Sequence, residues 1–130
     1  MTTAPQRPDL LAYHQAARMS PVEPVTALRE LLGARLVAHL GRGPETRAVR
    51  QWAEGTRAVG SDTDLARLRV AYRAARLICD CDSPMVAQAW FQGLNPILDD
   101  RAPALLLREG ELADVGPQVS AAARQFAAVG

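Results

Sequence analysis

The sequence predicts an all-α protein, on three observations. Its apolar content is dominated by helix formers: 24 Ala and 16 Leu stand against 2 Ile. Ala and Leu favour helix, whereas β-branched residues oppose it. Apolar residues recur in steps of three and four after residue 20, the period of a helix face. Gly and Pro fall between those runs, where one helix must stop and the next begin. With 130 residues, 48% hydrophobic and 22% charged, the chain suits one compact domain or two small units sharing a core.

Each element follows in order. Residues 1–19 hold Pro5 and Pro8 and no sustained period, so they read as an N-terminal arm; Leu10, Leu11 and Tyr13 are the candidates there for a short docking turn. Ser20-Pro21 offers an N-cap and a first helical residue, after which Val25, Leu28, Leu31 and Leu32 recur at helical spacing up to Gly33. A short helix spans Ala34 to Leu40. Gly41-Arg42-Gly43 forces a turn, and Pro44 opens a third helix that stops at Gly55. On it Ala48, Val49, Trp52 and Ala53 share one side, and Arg47, Arg50, Gln51 and Glu54 the other. Ser61 or Asp62 caps a long helix from Thr63 to Cys79, with Leu65, Leu68, Ala71, Tyr72, Ala75, Ile78 and Cys79 on its apolar face. Arg69, Arg73 and Arg76 stand beside that face. Ser83-Pro84 starts a fifth helix that Gly93 ends. Residues 94–101 form an ordered loop in which Pro96 bars a helix. Ala102 to Arg108 is short and apolar, and the last helix follows Gly116-Pro117, with Val119, Ala122, Ala123 and Phe126 inward.

The net charge is +1 at pH 7 but is unevenly spread. Residues 1–80 hold 12 Arg against 8 acids, and residues 81–130 hold 3 Arg against 6 acids. A basic front and an acidic back point to two different partners. All 15 basic residues are Arg, whose planar fork matches phosphate, guanine and carboxylate better than an ammonium does. No stretch reaches the roughly 18–20 apolar residues of a membrane span. The N-terminus lacks the basic-then-apolar layout of a signal peptide, so the expected location is the cytoplasm. There Cys79 and Cys81 read as thiols that take no part in function.

Catalytic residues are scarce. The two histidines, His14 and His39, stand far apart in the sequence, and no nucleophile motif, P-loop or dinucleotide fingerprint occurs. Asp99 and Asp100 are adjacent and point in different directions. Cys79, Cys81 and His39 are too few for a zinc site. The expectation is therefore no enzyme, no cofactor and no metal.

Two constellations remain. The first is Leu36-Val37-Ala38-His39-Leu40-Gly41 followed by Thr46-Arg47-Ala48-Val49-Arg50-Gln51-Trp52-Ala53-Glu54-Gly55. It resembles the helix-turn-helix of Xre-type, lambda-repressor-like DNA-binding domains, with a turn about two residues longer than in the common repressor pattern. Read on its own, the same stretch is also a helical hairpin with Arg on its solvated side. Residues 28–76 hold 10 Arg against 5 acids, the excess that phosphate contact needs. The second is Trp90-Phe91, Asn95-Pro96, Leu98-Asp99-Asp100-Arg101, Pro103, Leu106, Arg108 and Gly110. Its order and spacing resemble the toxin-binding domain of Xre/MbcA/ParS-type antitoxins. The residues also carry a reading of their own. Asn95-Pro96 fixes a turn. Leu98, Leu105, Leu106 and Leu107 are too many for so short a helix to bury, so some should face a partner, Leu107 above all. Trp90 fits core and partner equally.

The resemblance implies a lambda-repressor-like helix-turn-helix domain over residues 20–80 and a small helical toxin-binding domain over 81–130. It implies the antitoxin of a type II toxin–antitoxin pair, which covers the active site of an NAD-consuming RES-domain toxin and represses its own operon, as a homodimer or a larger hetero-oligomer with the toxin. By the same resemblance Arg42, Thr46, Arg47, Arg50, Gln51 and Arg57 would meet operator DNA. Trp90, Phe91, Asn95, Leu98, Asp99, Asp100, Leu105, Leu106 and Glu109 would meet the toxin. The alternatives are a stand-alone helix-turn-helix regulator without a toxin, and a helical scaffold that binds no DNA.

Overall fold

The computed structural model describes residues 22–129. The arm at 1–19 and the Ser20-Pro21 cap lie outside the described residues. Within them the protein is all-helical, with seven α-helices and no strand: α1 (Val22–Leu32), α2 (Ala34–Leu40), α3 (Thr46–Glu54), α4 (Asp62–Cys81), α5 (Pro84–Gln92), α6 (Pro103–Glu109) and α7 (Leu112–Val129). A 3-10 turn at Pro96–Leu98 stands between α5 and α6.

Side-chain caps start two of the α-helices. Ser61 Oγ accepts from the Asp64 amide at 3.0 Å and starts α4. Ser83 Oγ accepts from the Val86 amide at 3.2 Å, with Pro84 in the first turn of α5. Gly33 ends α1 at φ 86 with no neighbour within 4 Å of an added Cβ, so it is required for its backbone and not for space.

Three boundaries differ from the sequence expectation. Helix α3 begins at Thr46 and not at Pro44, because the Gly43 amide still bonds back to the Ala38 carbonyl at 2.8 Å, closing α2. Pro96 does not bar helical structure. It opens the 3-10 turn, and Asn95 Oδ1 accepts from the Ile97 amide at 3.0 Å. Helix α7 begins at Leu112 and runs through Pro117. The preceding Gly116 has no Cβ for the proline ring to meet, so the helix gives up one hydrogen bond and continues.

Helix α4 is central. Helix α7 runs along it, α1 and α5 pack on it, and α6 bridges α2 and α7. A single core cluster runs from Val25 and Leu28 of α1 through Leu68 and Ile78 of α4 to Phe91, Leu107 and Val119. Helices from before and after residue 81 thus share one interior.

Polar side chains fasten the helices across that division. Arg67 of α4 is 6% exposed and is the one buried charged residue among those described. Its Nη1 donates to the carbonyls of Leu107 and Gly110, at the C-terminus of α6. Its Nε lies 3.5 Å from Asp64 Oδ1, close enough for charge pairing but without hydrogen-bond geometry. In return, Arg108 Nη1 of α6 donates to the His39 carbonyl at the end of α2, at 2.8 Å. Gln88 Nε2 of α5 donates to the Leu31 carbonyl at the end of α1, at 2.9 Å. Each engages a carbonyl at or just past the C-terminal end of a helix, where intrahelical partners run out.

Arg67→Ala would strand two carbonyls and leave Asp64 without its cation. We expect a loss of about 3 kcal/mol or more, as for other buried charges whose partner is removed. Urea denaturation followed by circular dichroism checks it, and a loss below about 1 kcal/mol would contradict the role given to this side chain.

Candidate functional site

The segment from α2 to α3 is shaped by Trp52. Its indole lies under the connecting turn, 4% exposed. A Cβ on Gly43 would meet Trp52 Cη2 at 2.6 Å, and one on Gly41 would meet Trp52 Cζ3 at 2.9 Å. The two glycines are therefore small to admit the ring. The left-handed residue of the turn is Arg42, at φ 57, which puts its exposed side chain on the outside of the corner. Ala48 and Val49 join Trp52 in the core, and Gly55 closes α3 at φ 77 with its amide on the Gln51 and Trp52 carbonyls.

That packing turns the opposite side of α3 to solvent. Thr46, Arg47 and Arg50 are exposed and Gln51 is half-buried. Arg50 Nε lies 3.9 Å from Glu54 Oε1, with both side chains about half exposed. Arg57 Nη1, just past the helix, donates to Gln51 Oε1 at 3.3 Å. The structure therefore brings Thr46, Arg47, Arg50, Gln51 and Arg57 together on α3 and its C-terminal edge, with Arg42 at the preceding corner. Arg67, part of the basic excess read from the sequence, does not belong to this surface, since it is spent inside the fold. The apolar sides of α1 and α4 are covered within the chain, while Glu23, Thr26, Arg29 and Glu30 of α1 are exposed. On the covered sides Val25, Leu28, Leu68 and Ile78 are fully buried.

The second constellation is split. Phe91 and Leu107 are fully buried, Leu98 is 2% exposed and Leu106 is 5% exposed. Trp90 is 9% exposed and meets Phe91 edge to face, with ring centroids 5.1 Å apart. The expectation that Leu107 faces a partner is therefore corrected, and Leu98 and Leu106, which the resemblance would turn to a toxin, are buried too. The four-helix surroundings of α6 bury more leucine than the helix alone could. Only Leu105 stands out, 41% exposed. Asn95 is half-buried and engaged with the Ile97 amide. Asp99 and Asp100 follow the 3-10 turn in left-handed conformations, at φ 56 and 58, and are exposed. Glu109 is exposed at the end of α6.

Sequence reasoning missed the residues that do form an open apolar surface. Leu94 is 76% exposed, Ile97 52% and Val129 83%. They line a groove of about 420 Å³ with Trp90 at its wall and Phe126 from α7 opposite. The signal was available in principle: Leu94 and Ile97 flank Asn95-Pro96, where no helical face exists to bury them.

Of the titratable groups, His39 is pushed below its usual value of 6.5, first by burial and then by the Arg108 charge, against a smaller opposing pull from Glu109. Burial pushes the Cys79 thiol up, away from the nucleophilic thiolate. Among the described residues no three of His, Cys, Asp and Glu converge as metal ligands, and no helix is long and apolar enough to cross a membrane. Comparison with family models, with curated proteins and with solved structures returned no match.

Two outcomes are expected. Gly43→Ala drives a methyl into Trp52, costing about 1–3 kcal/mol by overpacking; thermal or urea unfolding reads this directly. His39, whose charged form the fold disfavours, contributes stability that is full above its unfolded value of 6.5 and is lost as pH falls through the lower folded value. His39→Gln should therefore lose less stability than the parent between about pH 7 and about pH 5, and equal losses would contradict the assignment.

Proposed function

We propose that the protein is a DNA-binding antitoxin that reads its operator through α3 and holds a protein partner in the apolar groove beside Trp90. The observation that carries the first half is the seating of α3. One side is pinned by Trp52 beneath a glycine turn, and the other presents Thr46, Arg47 and Arg50 to solvent. In a major groove Arg47, Arg50 and Gln51 would meet base edges, with Arg42 and Arg57 on phosphates. The rearrangement is small. Arg50 leaves an exposed pair with Glu54, worth about 0–1 kcal/mol. Arg57 moves from Gln51 to a phosphate and so releases the Gln51 amide for a base.

The partner half is supported by the open apolar groove, lined by Leu94 and Ile97, with the exposed carboxylates of Asp99 and Asp100 following the same turn. Its assignment to an NAD-consuming RES-domain toxin comes from the resemblance to Xre/MbcA/ParS-type antitoxins alone. A toxin pocket that binds a pyrophosphate carries cations, which those acids complement. One observation favours the second reading, a stand-alone regulator. Phe91, Leu98 and Leu106, which the resemblance would turn to a toxin, are spent on the chain's own core.

The two halves separate by mutation. Arg50→Ala should weaken binding to the DNA upstream of its own reading frame by about 1–3 kcal/mol and relax base preference at one position, whereas Arg57→Ala should weaken all sequences alike and lower the salt slope. Gel shifts in which Arg47→Ala and Arg50→Ala bind like the parent would refute the α3 assignment. Leu94→Glu with Ile97→Glu should abolish capture of a co-expressed neighbouring gene product and leave DNA binding unchanged. DNA binding with no captured product would favour the stand-alone regulator.

A further inference from the structure

A second groove, of about 550 Å³, lies between α2 and α6 and has a different chemistry. Arg35, Leu36 and His39 of α2 form one wall, Gln92 closes one end, and Ala104 and Leu105 of α6 form the other wall. Arg35 and His39 are four residues apart, so they stand one turn apart on the same side of α2. Arg35, His39 and Gln92 make no side-chain hydrogen bond or ion pair among the described residues. Leu105 is 41% exposed here, although Pro103, Ala104, Leu106 and Leu107 of the same helix are buried. Arg108 sets a second guanidinium near His39, whose carbonyl it holds at 2.8 Å.

We propose that this groove docks an acidic segment of a partner protein, seating a carboxylate between Arg35 and His39 and an adjacent apolar side chain on Leu36 and Leu105. Arg35 is exposed with no acid partner among the described residues, so it is open to an anion, which a guanidinium grips through paired N–H groups. The apolar lining of Leu36, Ala104 and Leu105 offers a bare anion nothing, so the occupant carries carboxylate and hydrocarbon together. A DNA phosphate lacks the second component. The inference rests on the reading that a protein partner meets this chain, and it gives that partner a contact separate from the groove beside Trp90.

The test is a titration of the full chain, followed by backbone amide and His39 imidazole resonances. The probe is a capped pentapeptide of alternating leucine and glutamate. The same peptide with glutamine in place of glutamate, inorganic phosphate, and a duplex DNA of unrelated sequence are the comparison arms. Shifts should cluster on Arg35, His39, Gln92 and Leu105, and the glutamine peptide should bind about tenfold more weakly. Arg35→Gln and Leu105→Ser, both at exposed positions that the core does not use, should each weaken binding by about tenfold. The proposal is overturned if nothing moves, if shifts cluster on Leu94 and Ile97, or if the glutamine peptide binds equally. It is also overturned if phosphate or DNA alone reproduces the shifts, or if both variants bind like the parent. Operator binding and capture through Leu94 and Ile97 use other residues, so failure here leaves them intact and the two readings fail separately.

Discussion

A buried guanidinium is expensive unless its charge is countered and its donors are engaged, and Arg67 finds a counter-charge and two acceptors for Nη1 only in one arrangement of helices. Asp64, one turn earlier on α4, supplies the counter-charge. The end of α6 supplies two carbonyls. The position of α6 relative to α4 is thereby set at one point and not by apolar packing alone, which tolerates sliding. Gly110, which contributes one of the carbonyls, is held as tightly. A Cβ there would meet Val115 Cγ1 at 2.5 Å, so α7 must leave α6 through this glycine at close range. The longest contact of the fold, α7 along α4, starts from that corner.

Arg108 carries the constraint onward. It sits on the helix that Arg67 fixes, and it holds the last carbonyl turn of α2, the helix that leads into the Gly41-Arg42-Gly43 corner. Trp52 then fills the space beneath that corner, and α3 follows. A chain of three side chains thus connects the interior of the second half to the outward side of α3. The exposed Arg47 and Arg50 of α3 take no part in that chain of contacts.

The number and order of helices were legible because Ser and Pro caps, glycine stops and three-four spacing agree along most of the chain. The faces of α3 were legible for the same reason, since Trp52 and Val49 fall on one side by simple rotation. Arg67 was not. Nothing in its spacing separates it from Arg69 or Arg73, and its burial depends on carbonyls forty residues away. The leucines of α6 misled for a related reason. A seven-residue helix has too little surface to bury three consecutive leucines, but four other helices close around it and cover Leu106 and Leu107. Pro117 was read as a helix start from its residue type, whereas the Gly before it removes the clash that would have made it one. The exposed pair Leu94 and Ile97 escaped notice because periodicity carries no information in a turn.

The shared interior also governs how the protein is dismantled. A protease that engages the end of α7 and pulls it from α4 uncovers Val119, Ala122 and Ala123, and loosens the Gly110 corner that Arg67 grips. The loss then reaches α2 through Arg108. Degradation started at the end of α7 is therefore expected to dismantle the helices on both sides of residue 81 together, as one event in time.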